Sequence, residues 1–182
     1  MKVIKWCGPV FLLLICFSIA CNEETKKKML PSFDMDVPGI KLTIPQIKFI
    51  SDKELPVGAL KTPINLDSII RANTAGTFGA DAITSIKVKT VVVKVLNADA
   101  KNNLANFETA RMKLFGDTSS AEILNMRFPE SNTDSIRVFP ANKPEISKFL
   151  KGNSLAYNLY WKNRGTTNKA LKLRVDITFT IQ

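Results

Sequence analysis

The chain has 182 residues and a formal net charge of +10, from 26 Lys and Arg against 16 Asp and Glu. A hydrophobic content of 45% marks it as globular rather than disordered, and the length suits one domain. It has no histidine, and its three cysteines, Cys7, Cys16 and Cys21, all lie near the start. Beyond residue 21 this excludes disulfides, Cys/His zinc sites, and Ser-His-Asp or Cys-His catalysis.

The chain opens with two cations, Lys2 and Lys5, then an apolar run from Val10 to Phe17, then Ser18, Ile19, Ala20 and Cys21. That is the layout of a secretory signal. The apolar run is shorter than the ~20 residues of a membrane-spanning helix. The segment Ser18-Ile19-Ala20-Cys21 resembles the lipobox of bacterial diacylglyceryl lipoproteins. Ser18 stands where that family carries a bulky aliphatic residue. Glu23 and Glu24 resemble the acidic export tag of surface lipoproteins in Bacteroidetes-type bacteria, and the β-rich texture resembles the small lipoproteins of that group.

The resemblance implies a lipid (palmitate among its acyl chains) on Cys21. It implies a bacterial outer-membrane protein that faces the periplasm or the cell surface. The competing expectation is cleavage after Ala20 and soluble secretion, since Ser18 and Ala20 also satisfy the small-x-small rule. Ordinary cleavage would leave Cys21 as a lone exposed thiol, whereas acylation gives it a use. The expected organisation is a signal peptide over residues 1–20, a lipidated tether over 21–32 and a single domain over 33–182. Loss of Lys2 and Lys5 with the leader leaves a charge near +8.

From residue 33 the dominant signal is alternation. Ile40, Leu42 and Ile44 alternate before Pro45, which suits an edge strand. Asp67 to Asn73 reads as a short helix capped by Asp67 and anchored by Ile69 and Ile70. Ser85 to Asn97 reads as a strand, with Val91, Val92 and Val93 apolar on both faces as in a central strand. Phe107 to Phe115 puts Ala110, Met112 and Leu114 on one face. Leu124, Met126 and Phe128 form another set, and Ile136 with Val138 a short one. Pro144 to Lys151 reads as a second helix with Pro144 at its first position and Gly152 as its stop.

Leu155, Tyr157, Leu159 and Trp161 then alternate with polar and small residues. After the polar link from Asn163 to Asn168, Leu171, Leu173, Val175, Ile177, Phe179 and Ile181 alternate with Lys172, Arg174, Asp176, Thr178 and Thr180. These last two strands read as an antiparallel hairpin. Neither helix is long enough for a regular βαβ crossover. The fold class is therefore all-β: an antiparallel β-sandwich, immunoglobulin-like in the broad sense, with about seven or eight strands and two short helices. A closed barrel of the same strand number is the alternative.

Three groups are candidate sites. Asn97 to Asn103 offers oxygen ligands, but it lacks the central glycine and closing glutamate of an EF-hand, so it reads as an Asx turn. Asp34 and Asp36 share a face and read as a solvated edge. Tyr157 and Trp161 fall on the core face, which leaves Tyr160 as the outward aromatic beside Asn158 and Lys162. These three are the candidate ligand contacts. No metal or cofactor is expected. The expected function is a non-catalytic, membrane-anchored binding or scaffolding module with a protein or glycan partner. The alternatives are a glycan-binding accessory module at the cell surface and, third, a carboxylate-based hydrolase. The basic charge is read as a solvated surface, and no nucleic acid is expected for an exported chain.

Overall fold

A computed structural model describes residues 30–116, 119–150 and 154–182. The signal segment, Cys21 and nearly all of the expected tether lie outside the described residues. Eight strands carry the fold: β1 (Phe33–Ile44), β2 (Leu55–Pro63), β3 (Ile86–Val95), β4 (Phe107–Phe115), β5 (Ser120–Arg127), β6 (Ser135–Val138), β7 (Ser154–Asn163) and β8 (Leu171–Ile181). They form two four-stranded sheets, with orders β1-β8-β3-β6 and β2-β7-β4-β5. Every pairing is antiparallel. The fold is the antiparallel β-sandwich that the alternation implies.

The core lies between the sheets, and the period of two fills it. All six odd-numbered residues of β8 from Leu171 to Ile181 are buried, as are Leu155, Tyr157, Leu159 and Trp161 of β7. β3 lies between β8 and β6, with Val91 and Val93 inward and Val92 half-buried on the outer face. Phe107 packs its ring 5.7 Å from Phe128 and 5.8 Å from Trp161. In β5, parity breaks at a bulge: Ile123 and Leu124 are both buried where the pairing with β4 slips. Leu30, within the expected tether, is also buried.

β7 and β8 do not pair with each other, so the hairpin expected from their polar link is absent. They belong to opposite sheets, and the link crosses between them. Both strands carry a full apolar face, and placing one on each sheet lets those faces meet across the core. The link is polar because its side chains are needed inside. Asn163 and Thr167 are buried. Asn163 Nδ2 donates to the Phe49 carbonyl at 2.9 Å. Thr167 Oγ1 accepts the Ile47 N–H at 2.9 Å and donates to the Lys169 carbonyl. Thr167→Val keeps the shape but leaves the Ile47 N–H without that acceptor. A loss of about 1–3 kcal/mol is expected in denaturant melting, and an exposed hairpin turn would show none.

β2 carries no clear alternation. It is an edge strand, where Pro56 and Pro63 are tolerated, with a bulge at Gly58 (φ +130°). Helix α1 spans Leu66–Asn73, and its N-cap is Asn65, not Asp67. Asn65 Oδ1 accepts the Ser68 N–H at 2.9 Å. Asp67 lies in the first turn, where it pairs with Arg71 and accepts the Ala80 N–H.

The second expected helix reduces to a 3-10 turn over Ser147–Phe149. Its start is held against β3 instead: Ile146 N–H donates to the Ile86 carbonyl, and Glu145 accepts from the Ile86 and Ser147 N–H groups. Burial alone would raise the Glu145 carboxyl, but these bonds and one from Ser85 outweigh it and hold the pKa below 4.5. A depressed carboxyl contributes stability that is present above its unfolded pKa and lost as pH falls through its folded one. Glu145→Gln is therefore expected to lose less stability than wild type between neutral pH and about pH 3. Parallel loss in the two proteins, measured by denaturant melts, would contradict this.

Candidate functional site

Each sheet presents one outer face, and the sequence pointed to that of the second sheet. Tyr160, Asn158 and Lys162 do share it, at alternate positions of β7. Tyr160 is half-buried rather than freely exposed, because Arg111 of the neighbouring β4 lies over its ring at 4.8 Å. Arg111 is itself held by Glu54, with Glu122 at 3.9 Å. Lys162 pairs with Glu108 at 2.8 Å. Asn158 lies between Ala59 and Lys113. The ring face and the ammonium thus have partners within the chain, and a ligand would have to displace Arg111 and Glu108.

The remaining candidates resolve as local structure. In the Asn97–Asn103 segment, Asp99 Oδ1 accepts from the Lys101 N–H and from Asn102 Nδ2, while Oδ2 lies 2.6 Å from Lys169. The Lys169 bond, then those from Asn102 and Lys101, drive the Asp99 pKa far below the usual range. Asn103 caps the 3-10 turn that follows. These oxygens serve a turn, as expected. Asp34 bonds Lys89 and Thr180, and Asp36 accepts from Thr178 Oγ1 at 2.7 Å, all on the outer face of edge strand β1. Among the described residues no group of three or more His, Cys, Asp or Glu could hold a metal ion. Among them, too, no helix is long and apolar enough to cross a membrane.

The outer face of the first sheet, of which the sequence singled out only Asp34 and Asp36, holds a further surface. A groove of about 590 Å³ runs across β1, β8, β3 and β6, lined by Asp36, Gly39, Thr90, Val92, Arg137, Arg174, Asp176 and Thr178. The alternation of β8 sends Arg174, Asp176 and Thr178 outward, because the odd-numbered residues fill the core. Register then sets their neighbours: Asp176 faces Val92, Val92 faces Arg137, and Thr178 lies between Asp36 and Thr90.

Gly39 sits in the β1 bulge between Val37 and Ile40. A Cβ there would lie 2.5 Å from Arg174 Nε and Asp176 Oδ1, so only glycine leaves room for the Arg174–Asp176 pair. Above the groove, Lys41, Arg174 and Lys94 form one row across three strands, with Lys172 beyond. Like charges directly opposite each other destabilise a sheet. Among the described residues Asp176 is the one acid paired with this group. Lys41, Lys94, Lys172 and Arg137 make no ion pair among the described residues.

No family model and no curated protein matches the sequence. Among solved structures, the chain is similar to a family 32 carbohydrate-binding module from C. perfringens NanJ in complex with galactose. The identity is 8% and the TM-score 0.37, over 79% of this chain and 99% of that one. It is also similar to the decameric BFDV capsid protein, at 8% identity and a TM-score of 0.33, over 84% of this chain and 100% of that one. The strand pairing itself carries the assignment as a β-sandwich.

Proposed function

We propose that the protein is a non-catalytic binding module, tethered to a bacterial membrane by a lipid on Cys21, that engages its ligand through the outer face of the β1-β8-β3-β6 sheet. The carrying observation is the groove, whose Arg137 makes no ion pair among the described residues, together with the row of Lys41, Arg174 and Lys94 beside it. The electrostatics of the carboxylates support the non-catalytic reading. A general acid in a hydrolase needs a carboxyl raised toward neutrality. Here the shifted ones, Asp34, Glu54, Asp67, Asp99, Glu108 and Glu145, all move down, held by cations or N–H and O–H donors. The lipobox-like residues support the tether.

Two experiments test the two halves. Cys21→Ser is expected to move the protein from the membrane pellet to the soluble fraction. Stable anchoring takes more than one acyl chain, since one alone binds marginally. A wild-type protein that begins at Cys21 without added acyl mass in intact mass spectrometry would overturn the anchor.

For the module, affinity purification of the full chain from its own membrane should recover a companion that Arg137→Glu loses. Lys113→Glu, on the opposite sheet, should retain it. Equal recovery by all three proteins would remove the groove from the proposal.

A further inference from the structure

We infer that the cationic half of this outer face binds an acidic polysaccharide, with cations meeting its carboxylates or sulfates and Asp36 accepting from its hydroxyls. The inference rests on the binding-module reading and names the ligand class of that same surface. Its first support is the uneven distribution of charge. Toward the start of β1 the face carries acids among its cations: Asp34 holds Lys89, and Asp36 keeps its charge while accepting from the neutral Thr178 hydroxyl. Toward the other end, Lys41, Arg174 and Lys94 stand side by side, with Lys172 and Arg137 near them, and Asp176 is paired only to Arg174. Such a row is unfavourable in the free protein and is relieved by an anion laid across it. A linear polyanion spans a row of this kind as a single small anion cannot.

The second support is the mixture of groups inside the groove. Arg137 is a fully charged planar donor suited to carboxylate or sulfate. Asp36 has one oxygen on Thr178 and further acceptor capacity on the other. A sugar hydroxyl donates into that capacity, whereas a phosphate without hydroxyls is repelled by it. Half-buried Val92 offers an apolar floor for the C–H face of a sugar ring.

The chain enters at Phe33, and Lys41 lies roughly 25 Å further along β1, at ~3.3 Å per residue. The cation row is therefore at the far end of β1 from Phe33.

The test is isothermal titration calorimetry of the full chain in detergent micelles. The probes are polygalacturonate, neutral dextran, polyphosphate (a polyanion without sugar hydroxyls) and phosphatidylglycerol vesicles. Wild type is expected to bind polygalacturonate and not dextran, with affinity falling as salt rises. Lys94→Glu with Arg137→Glu should lose at least about tenfold, and Lys113→Glu on the other sheet should lose nothing.

The decisive variant is Asp36→Ala. Removing an acid beside a bound polyanion strengthens purely electrostatic binding, so its polyphosphate affinity should hold or rise. Its polygalacturonate affinity should fall about tenfold, from the lost hydrogen bonds to a charged acceptor. Unchanged melting temperatures of each variant keep folding out of the comparison.

A rise in both affinities would reduce the face to a general basic surface and overturn the inference, as would tighter binding to the vesicles than to polygalacturonate. Absence of polygalacturonate binding, alongside a companion that Arg137→Glu still loses, would overturn the ligand class while leaving the binding module in place.

Discussion

Val175→Asp is expected to unfold the sandwich or nearly so. Val175 is 1% exposed, on the central strand of the first sheet, and pairs with Ile40 and Val93 on its two sides. It also lines the small interior cavity, of about 20 Å³, between the sheets. The lining is apolar apart from the Trp161 indole N–H, which is buried and has no hydrogen-bond partner among the described residues. An unpaired carboxyl there costs several kcal/mol even after it takes up a proton. A domain of this size has about 5–15 kcal/mol in total. Lys172→Asp, on the same strand but facing water, should stay within about ±0.5 kcal/mol. Denaturant melting of the two variants measures the separation. Equal losses would mean that β8 does not face the core by parity.

Phe107→Ala is expected to cost about 3–5 kcal/mol, the second-largest effect. The ring is 1% exposed and closes an aromatic cluster with Phe128 and Trp161 that joins β4, β7 and the segment after β5. Its removal enlarges a cavity that already exists beside Leu124 and Leu159. Neighbours anchored in two sheets cannot collapse far into that space, so both the lost transfer energy and the cavity count against the fold. Phe139→Ala is the contrast. That ring is 66% exposed, and its loss should fall within about ±0.5 kcal/mol. A loss at Phe107 no larger than at Phe139 would mean that the aromatic cluster does not contribute to the core.

The strands that were legible from sequence are those with one clean apolar face. β4 and β8 match their expected limits, and Tyr157 and Trp161 are core residues as their parity requires. β2 was not legible, because Pro56, Gly58 and Pro63 are turn signals in any local reading, and only an edge position next to β7 makes them a strand. The 147–149 turn was misjudged for a related reason. Local spacing in Pro144–Lys151 favours a helix, but Glu145 and Ile146 bond to β3, and that long-range pairing stops the helix from forming.

The candidate site follows the same division. Parity placed Tyr160, Asn158 and Lys162 on one outer face, but nothing local announced Arg111 above the ring or Glu108 on the ammonium. Those partners come from the neighbouring strand β4. The groove on the other sheet was visible only as Asp36, read as a solvated edge, and as the polar half of β8. Lys41 and Lys94 are 53 residues apart in sequence and become neighbours of Arg174 through register alone.

By itself the sequence determined that most of the described chain is built of strands with one apolar face, since a period of two depends only on where successive side chains point. It also determined what the chemistry lacks, since without histidine no imidazole base exists wherever the chain folds. Only the tertiary structure decided that β7 and β8 part into opposite sheets, that Asn163 and Thr167 of the polar link between them are buried, and that the cations of three strands meet in one row. Sheet membership and register are set by contacts between distant segments, and the energy of burying two apolar faces together does not appear in either segment alone.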